Sequence, residues 1–490
     1  MAGATPHSPP ISERSLNPVG LVAGVAAFAL VLAFFDPVAL ERPAEIVAAV
    51  GVLMAVWWAT EAIPLSVTAL IPVIAFPIAG VATLDESAAP YANPIIFLFL
   101  GGFLVALAVE RSQLHRRIAL LIFRALGNSG RGLVAGFMLA SALLSMWISN
   151  TSTTLMLFPI AVSLALVVGE TSPGLSEKAK HDFQIALLLG LAYGASIGGL
   201  ATLVGTPTNA FMAGFLQSEY QLEIPFAQWM MIGIPVSLIL LPLGWYLLVH
   251  FLFPVNFTSS PETRAELDRR HAALGTMSTA EKRTAILFAL LVVSWVLRQP
   301  IAAALGLEGL SDAGVAMIAA LLAFVIPSGT DRQALVTWGD TVRLPWGVLI
   351  LFGGGLSLAS ALSSSGLTLW LGQQLAPLGT INDILLVVAL TTLVIFLTEL
   401  TSNVATTATL LPVVAALAVE LGLDPLILVI PVTIAASCAF MLPVATPPNA
   451  IVFGSGEIGI REMMRAGFWL NIVSIVLVSI VAIWLVPLVL

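Results

Sequence analysis

The chain has 490 residues, 59% of them hydrophobic and only 9% charged, with a net charge of −8. A soluble domain carries about a quarter charged residues, so the composition excludes a water-soluble protein, and no basic face offers itself to nucleic acid. The single cysteine, Cys438, excludes an intrachain disulfide and reads as a small core hydrophobe.

Residues 1–16 form a polar, Pro-rich tail whose one basic residue is Arg14. No small-residue cleavage site follows the first apolar run, which therefore reads as a retained helix and not a signal peptide. Apolar runs of about 20 residues, the length of a membrane span, fall near 17–35, 44–62, 63–80, 93–110, 183–216, 227–254, 284–302, 311–327, 344–362, 424–456 and 463–489. Two further apolar pieces, near 131–168 and 380–420, are interrupted by polar clusters. These are SMWISNTSTTLMLFPI (Ser145 to Ile160) and FLTELTSNVATTATLLPV (Phe396 to Val413). Ser and Asn in apolar surroundings break one helix and cap the next, because their side chains bond local backbone N–H groups. In hydrocarbon such a break is tolerated only when buried in protein or facing a wet cavity. Both pieces read as re-entrant hairpins. The expected fold is an all-α integral membrane protein of 11 transmembrane helices plus two hairpins.

The charges test this count. With the N-terminus cytoplasmic, all of the 19 basic residues except Arg42 and Arg298 fall on the cytoplasmic side, as the positive-inside rule requires. Making either hairpin a single crossing scrambles that bias. Residues 111–126, RSQLHRRIALLIFRAL, have a mixed face and suit an arm lying in the interface or a solvated extension of the fourth helix. The polar segment 256–283 reads as a cytoplasmic linker between halves.

The halves look related. PIIFLFLGGFLVAL (Pro94 to Leu107) resembles PWGVLILFGGGLSLA (Pro345 to Ala359), the two Ser-Asn steps match, and GTPTNA (Gly205 to Ala210) answers to ATPPNA (Ala445 to Ala450). An odd number of crossings per unit makes the second unit inverted. The expected organisation is a tail (1–16), a first helix outside the repeat (17–43), a first repeat (44–255), the linker (256–283) and a second repeat (284–490).

Each hairpin tip is thus paired with a proline-rich break. Proline removes N–H donors and frees carbonyls one turn back, and Gly205 permits backbone geometry that other residues resist. Hydroxyl, amide and carbonyl oxygens together suit a hard monovalent cation such as Na⁺, while half-helix N-termini suit carboxylates. No Lys or Arg is expected near any of the four motifs, so an anionic substrate would draw its counter-charge from dipoles and bound cations. The competing reading, kinks and caps that support packing, weakens when four motifs fall into two symmetric pairs.

MWISNTSTT, AYGASIGGLATLVGTPTN, LTSNVATT and FMLPVATPPNAIVF, with WWATEAIPLSVTALIP and AVERSQLHRRIAL, resemble the signatures of the divalent anion–sodium symporter family, carriers of dicarboxylates and citrate. The resemblance runs from about residue 20 to the C-terminus. It implies a homodimer in the cytoplasmic membrane, moving substrate by an elevator mechanism. It also implies one sodium held by Ser145, Ser149, Asn150 and the Gly205 carbonyl, and a second by Thr398, Thr401, Asn403 and the Ala445 carbonyl. Substrate carboxylates would meet Ser149, Asn150 and Thr151 on one side and Ser402, Asn403 and Val404 on the other, with Thr206, Pro207, Thr446 and Pro447 closing the site. Val404 departs from the frequent Ser-Asn-Thr pattern and removes one hydroxyl.

Glu61 and Glu399 lie in or beside spans, where an ionisable side chain is a functional candidate; for Glu399, tuning the second cation site and pairing to stabilise the hairpin both stay open. The leading function is sodium-coupled import of C4-dicarboxylates. A sodium-independent dicarboxylate exchanger and a citrate-preferring symporter remain alternatives. No His-Glu-x-x-His run or Ser-His-acid set supports an enzyme.

Overall fold

The computed structural model describes residues 16–490, apart from positions 38, 173, 330 and 331 and the side chains at 378 and 379. Arg14 and nearly all of the polar tail lie outside the described residues. Among the described residues the structure is helical, with two isolated bridges, Ser129 to Thr258 and Pro327 to Ala334, in place of any sheet.

Eight helices are long and apolar enough to cross a membrane, or nine when Thr279–Val296 and Arg298–Leu305, bent by 84°, form one span. Six more apolar helices are shorter, among them Pro18–Phe34, Leu65–Ile78 and Asp312–Val325. The expected spans divide accordingly. Pro94–Arg111 and Trp346–Ser364 are single helices, and Ile460–Val489 is one continuous run. The runs at 183–216 and 424–456 are broken, into Glu177–Gly199 with Pro207–Tyr220 and into Pro425–Ala436 with Pro447–Phe453. In both cases a proline opens the second piece, where its missing N–H is one of the helix's unpaired donors anyway.

Each hairpin is two helices joined by a short turn. The first is Gly130–Ser145 and Asn150–Thr171; the second is Asp383–Thr398 and Asn403–Glu420. Corresponding prolines, Pro159 and Pro412, stand inside the second arms. The packing crosses the halves. Pro447–Phe453 lies against Asn150–Thr171 and Glu177–Gly199, while Pro207–Tyr220 lies against Asn403–Glu420 and Pro425–Ala436. Hairpins, broken spans and the helices Phe226–Tyr246 and Ile460–Ile480 so form one interleaved body. Small residues permit it: a Cβ on Gly198 would stand 2.2 Å from the Ala142 carbonyl oxygen, so only glycine lets the two helices meet.

The segment after Pro94–Arg111 is an amphipathic helix, Leu114–Leu126, that buries Leu114, Arg117, Leu120 and Phe123 and exposes Arg116, Leu121 and Arg124. Arg117 reaches Glu281 at 2.7 Å, a pair both of whose side chains are largely buried. The polar linker contains a helix of its own, Pro261–Ala273, capped by Ser260 and tied to the arm by Arg124–Asp268 at 2.7 Å. With Arg111–Asp340, Arg343–Glu110 and His181–Glu462, these pairs join segments that the charge pattern assigns to one face. We refer to it as the basic face.

Candidate functional site

The first tip is built by capping. Ser149 stands at the N-cap of Asn150–Thr171, its hydroxyl accepting from the Ser152 N–H at 3.2 Å and donating to the Ser152 hydroxyl at 3.0 Å. Asn150 turns back onto Ser145, five residues earlier, with which it is hydrogen-bonded. Its amide faces three acceptors, the Ser145 hydroxyl and the carbonyls of Gly205 and Ala195; turned toward them, Nδ2 donates to Gly205 at 3.2 Å and to Ala195 at 3.3 Å. In the opposite orientation Oδ1 joins those oxygens, and the cluster is all-oxygen. Thus Ser145, Asn150 and Gly205 meet, as expected. Gly205 is obligatory there, because a Cβ would lie 2.4 Å from the Gly199 carbonyl oxygen.

The second tip repeats the Ser145–Asn150 step with Thr398 and Asn403. The Thr398 hydroxyl lies 2.8 Å from Asn403 Oδ1 and 2.8 Å from the Ala436 carbonyl. Thr401 pairs with Thr406 at 2.6 Å and reaches the Leu397 carbonyl at 3.2 Å. Ser402 is the N-cap of Asn403–Glu420 without bonding its first turn. Thr151 and Val404, in corresponding positions, are both half-buried.

The breaks match each other closely. Thr206 and Thr446 precede their helices with φ/ψ of −138/143° and −141/147°. Ala445 is buried, Pro207 half-buried and Pro447 exposed. Sequence reasoning assigned no task to the asparagines that end these motifs. Asn209 donates to the carbonyls of Gly199, Leu200 and Thr202, the last at 2.9 Å; Asn449 donates to those of Ala439 and Leu442, at 3.2 and 3.1 Å. Each satisfies carbonyls that the break leaves without an intrahelical donor. Trp229 adds a donor to Leu200 at 3.1 Å, a use of that tryptophan beyond packing. Among the bonds that cross the halves, two join the regions of the breaks: Tyr193 to the Phe440 carbonyl at 2.9 Å and Thr208 with Ser437 at 2.6 Å.

Glu399 has a definite place. Its carboxylate accepts from the N–H groups of Phe440, Met441 and Leu442 at 2.7 to 2.9 Å, and from Asn471 at 2.7 Å. It holds the second hairpin to the second break. One expectation needs correcting. An arginine does stand near a tip: Arg343 pairs with Glu110 at 2.6 Å, and both line a cavity with Ser149 and Ser152. Nothing local in the sequence could reveal it, since Arg343 and Glu110 lie in different halves.

The site is therefore two pseudo-symmetric clusters of neutral oxygens, each beside a helix N-terminus inside a mostly apolar body. Residues 16–490 match the family described as the sodium:sulfate symporter transmembrane region. The chain is similar to the sodium-dependent dicarboxylate transporter SdcS of Staphylococcus saprophyticus, 41% identical over 473 residues, covering 96% of this chain and 91% of the relative. It is 39% identical over 476 residues to the SdcS of Staphylococcus aureus strain USA300, covering 96% and 92%. Two solved structures share the fold: the YdaH transporter of Alcanivorax borkumensis (TM-score 0.57, 16% identity, 91% of this chain and 98% of that one) and MtrF of Neisseria gonorrhoeae (0.57, 15%, 92% and 97%).

Proposed function

This chain belongs to the sodium:sulfate symporter family, and from that premise we propose that it imports C4-dicarboxylates such as succinate, malate and fumarate, driven by sodium. It is a multi-pass membrane transporter and not an enzyme, and sodium is the co-transported ion. The observation that carries the substrate class is the pair of neutral oxygen clusters joined to helix N-termini. Ser145, Asn150 and Gly205, extended by Ser149, hold one sodium; Thr398, Thr401, Asn403 and the Ala445 carbonyl hold the other. Asn150 serves by rotation: its amide nitrogen satisfies the Gly205 and Ala195 carbonyls at 3.2 and 3.3 Å, and a cation is bound when Oδ1 takes that place. The bound sodium then supplies the counter-charge that the neutral cluster lacks.

One substrate carboxylate meets Ser149, Asn150 and Thr151, the other Ser402 and Asn403 beside Val404, with Thr206, Pro207, Thr446 and Pro447 closing the site. A dianion satisfies both tips. A monocarboxylate leaves one set of N–H groups unpaired, which costs about 1–3 kcal/mol per buried donor. The working unit is a homodimer in the cytoplasmic membrane, with 11 spans, two re-entrant hairpins and a cytoplasmic N-terminus, so that the basic face is cytoplasmic. The repeats span 44–255 and 284–490, separated by the linker 256–283 and preceded by the helix of 17–43. Hairpins and broken spans move together as an elevator against the remaining helices.

Uptake of labelled succinate into proteoliposomes tests this. Uptake should follow an imposed sodium gradient, be unaffected by potassium, and be competed by fumarate and malate but not butyrate. Sodium-independent succinate exchange would establish the exchanger, and stronger competition by citrate than by succinate a citrate carrier.

A further inference from the structure

We propose that Arg343 and Glu110 form a carboxylate station beside the first hairpin, a second and weaker point where the departing dianion replaces Glu110 on the arginine. The idea rests on the carrier reading above. Arg343 Nη2 lies 2.6 Å from Glu110 Oε2. The ion pair lines one small cavity with Ser149 and Ser152, and the Ser149 hydroxyl donates to that of Ser152 at 3.0 Å. Two polar pairs so face one cavity between the tip and the arginine: Ser149 with Ser152, and Glu110 with Arg343.

Glu110 already does what a substrate carboxylate would do. It offers an anionic group to a guanidinium, the pairing that carboxylate recognition favours, in a cavity shared with the tip serines. The two charges differ in access. The Arg343 side chain is 57% exposed on the basic face, whereas that of Glu110 is 12% exposed. The neighbouring Arg111 is held by Asp340 at 2.9 Å and by Gln333, so Arg343 is the guanidinium left to face the tip. The cavity between Ser149, Glu110 and Arg343 has a volume of ≈ 30 Å³, room for about one water and too little for a dicarboxylate. Passage on this side requires the ion pair to open, and opening it creates a cationic receptor for the leaving substrate. Coulomb attraction, stronger beside protein than in bulk water, gives the anion a stop between the site and the solvent. Glu110 then displaces it by re-forming the pair.

The two partners should therefore act with opposite sign. Succinate affinity in sodium buffer is measured by calorimetry on purified wild type, Glu110→Gln, Arg343→Gln, Arg343→Lys and the Glu110→Gln/Arg343→Gln double variant, with gel filtration to confirm folding. Glu110→Gln frees the arginine and should tighten succinate roughly tenfold, the worth of a charge-assisted hydrogen bond, while slowing counterflow. The gain should vanish in the double variant. Arg343→Gln should weaken binding, because Glu110 then faces the tip uncompensated, and Arg343→Lys should fall between it and wild type. If both single variants move the affinity in the same direction, or neither moves it while wild type binds succinate, the pair is structural and the station is wrong. If Glu110→Gln does not fold, loss of affinity in Arg343→Gln with partial recovery in Arg343→Lys supports the station, and unchanged affinity in both overturns it. Wild type that binds no succinate in sodium overturns the carrier reading and the station together.

Discussion

The two hairpin tips solve the same backbone problem with different chemistry. At the first, the Thr202 hydroxyl of the break donates to the Met146 carbonyl at 2.5 Å, and the contact is neutral throughout. At the second, the residue in Met146's position is Glu399, whose carboxylate gathers three consecutive N–H groups of the break and the Asn471 amide. The first break can manage with a hydroxyl because Gly198 and Gly205 bring backbones close enough to seal it. The second has Cys438 and Ala445 at those places, and there one carboxylate with several acceptor positions gathers the N–H groups. Pseudo-symmetry therefore preserves the oxygen clusters, and the means of holding them in place has diverged.

The largest effects should come from what the tips share. Asn150→Ala and Asn403→Ala should each abolish sodium-driven uptake in a protein that still folds, since each amide serves a cation and a carboxylate. Near-wild-type uptake in either variant would remove that tip from the site. Next comes what they do not share. Glu399→Gln should lower stability by roughly 3 kcal/mol or more, because several buried donors lose a charged acceptor, whereas Met146→Gln should cost far less. Thermal unfolding in detergent compares the two, and equal costs would mean that the carboxylate holds nothing. Third, Gly205→Ala should weaken sodium binding at least tenfold, since the new methyl would sit 2.4 Å from the Gly199 carbonyl oxygen. The reverse change, Ala445→Gly, should cost under about 1 kcal/mol. Sodium titrations of succinate binding read both. The smallest effect is expected from Val404→Thr, which restores the missing hydroxyl on the first turn of the second arm. It should shift the preference between succinate and citrate several-fold without changing sodium dependence, as competition assays would show.

Much of this was legible in the chain. Ser-Asn pairs inside apolar runs have few uses besides capping a broken helix, so Ser149, Asn150, Ser402 and Asn403 marked the tips, and the matching GTPTNA and ATPPNA runs marked the breaks. What stayed hidden depends on partners without a side-chain signature. Glu399 binds main-chain N–H groups at Phe440, Met441 and Leu442, whose identities say nothing about a carboxylate. The Arg343–Glu110 pair joins opposite halves, and either residue alone reads as an ordinary charge at a helix end. Helix ends were also less legible: Pro18–Phe34 and Asp312–Val325 are shorter as helices than the apolar runs that contain them, because flanking residues such as Phe35 and Ile326 are apolar yet extended.

The interleaving of the halves bears on how the protein is made. Pro447–Phe453 packs against the first hairpin and Pro207–Tyr220 against the second, so the hairpins are not fully packed until nearly the whole chain has left the ribosome. At roughly 5–20 residues per second, the first hairpin waits on the order of tens of seconds for Pro447–Phe453 to pack against it. A gene cut at the linker would yield two fragments that fold only when synthesised together. Mutations in the last third of the chain should accordingly surface as defects in biogenesis of the first.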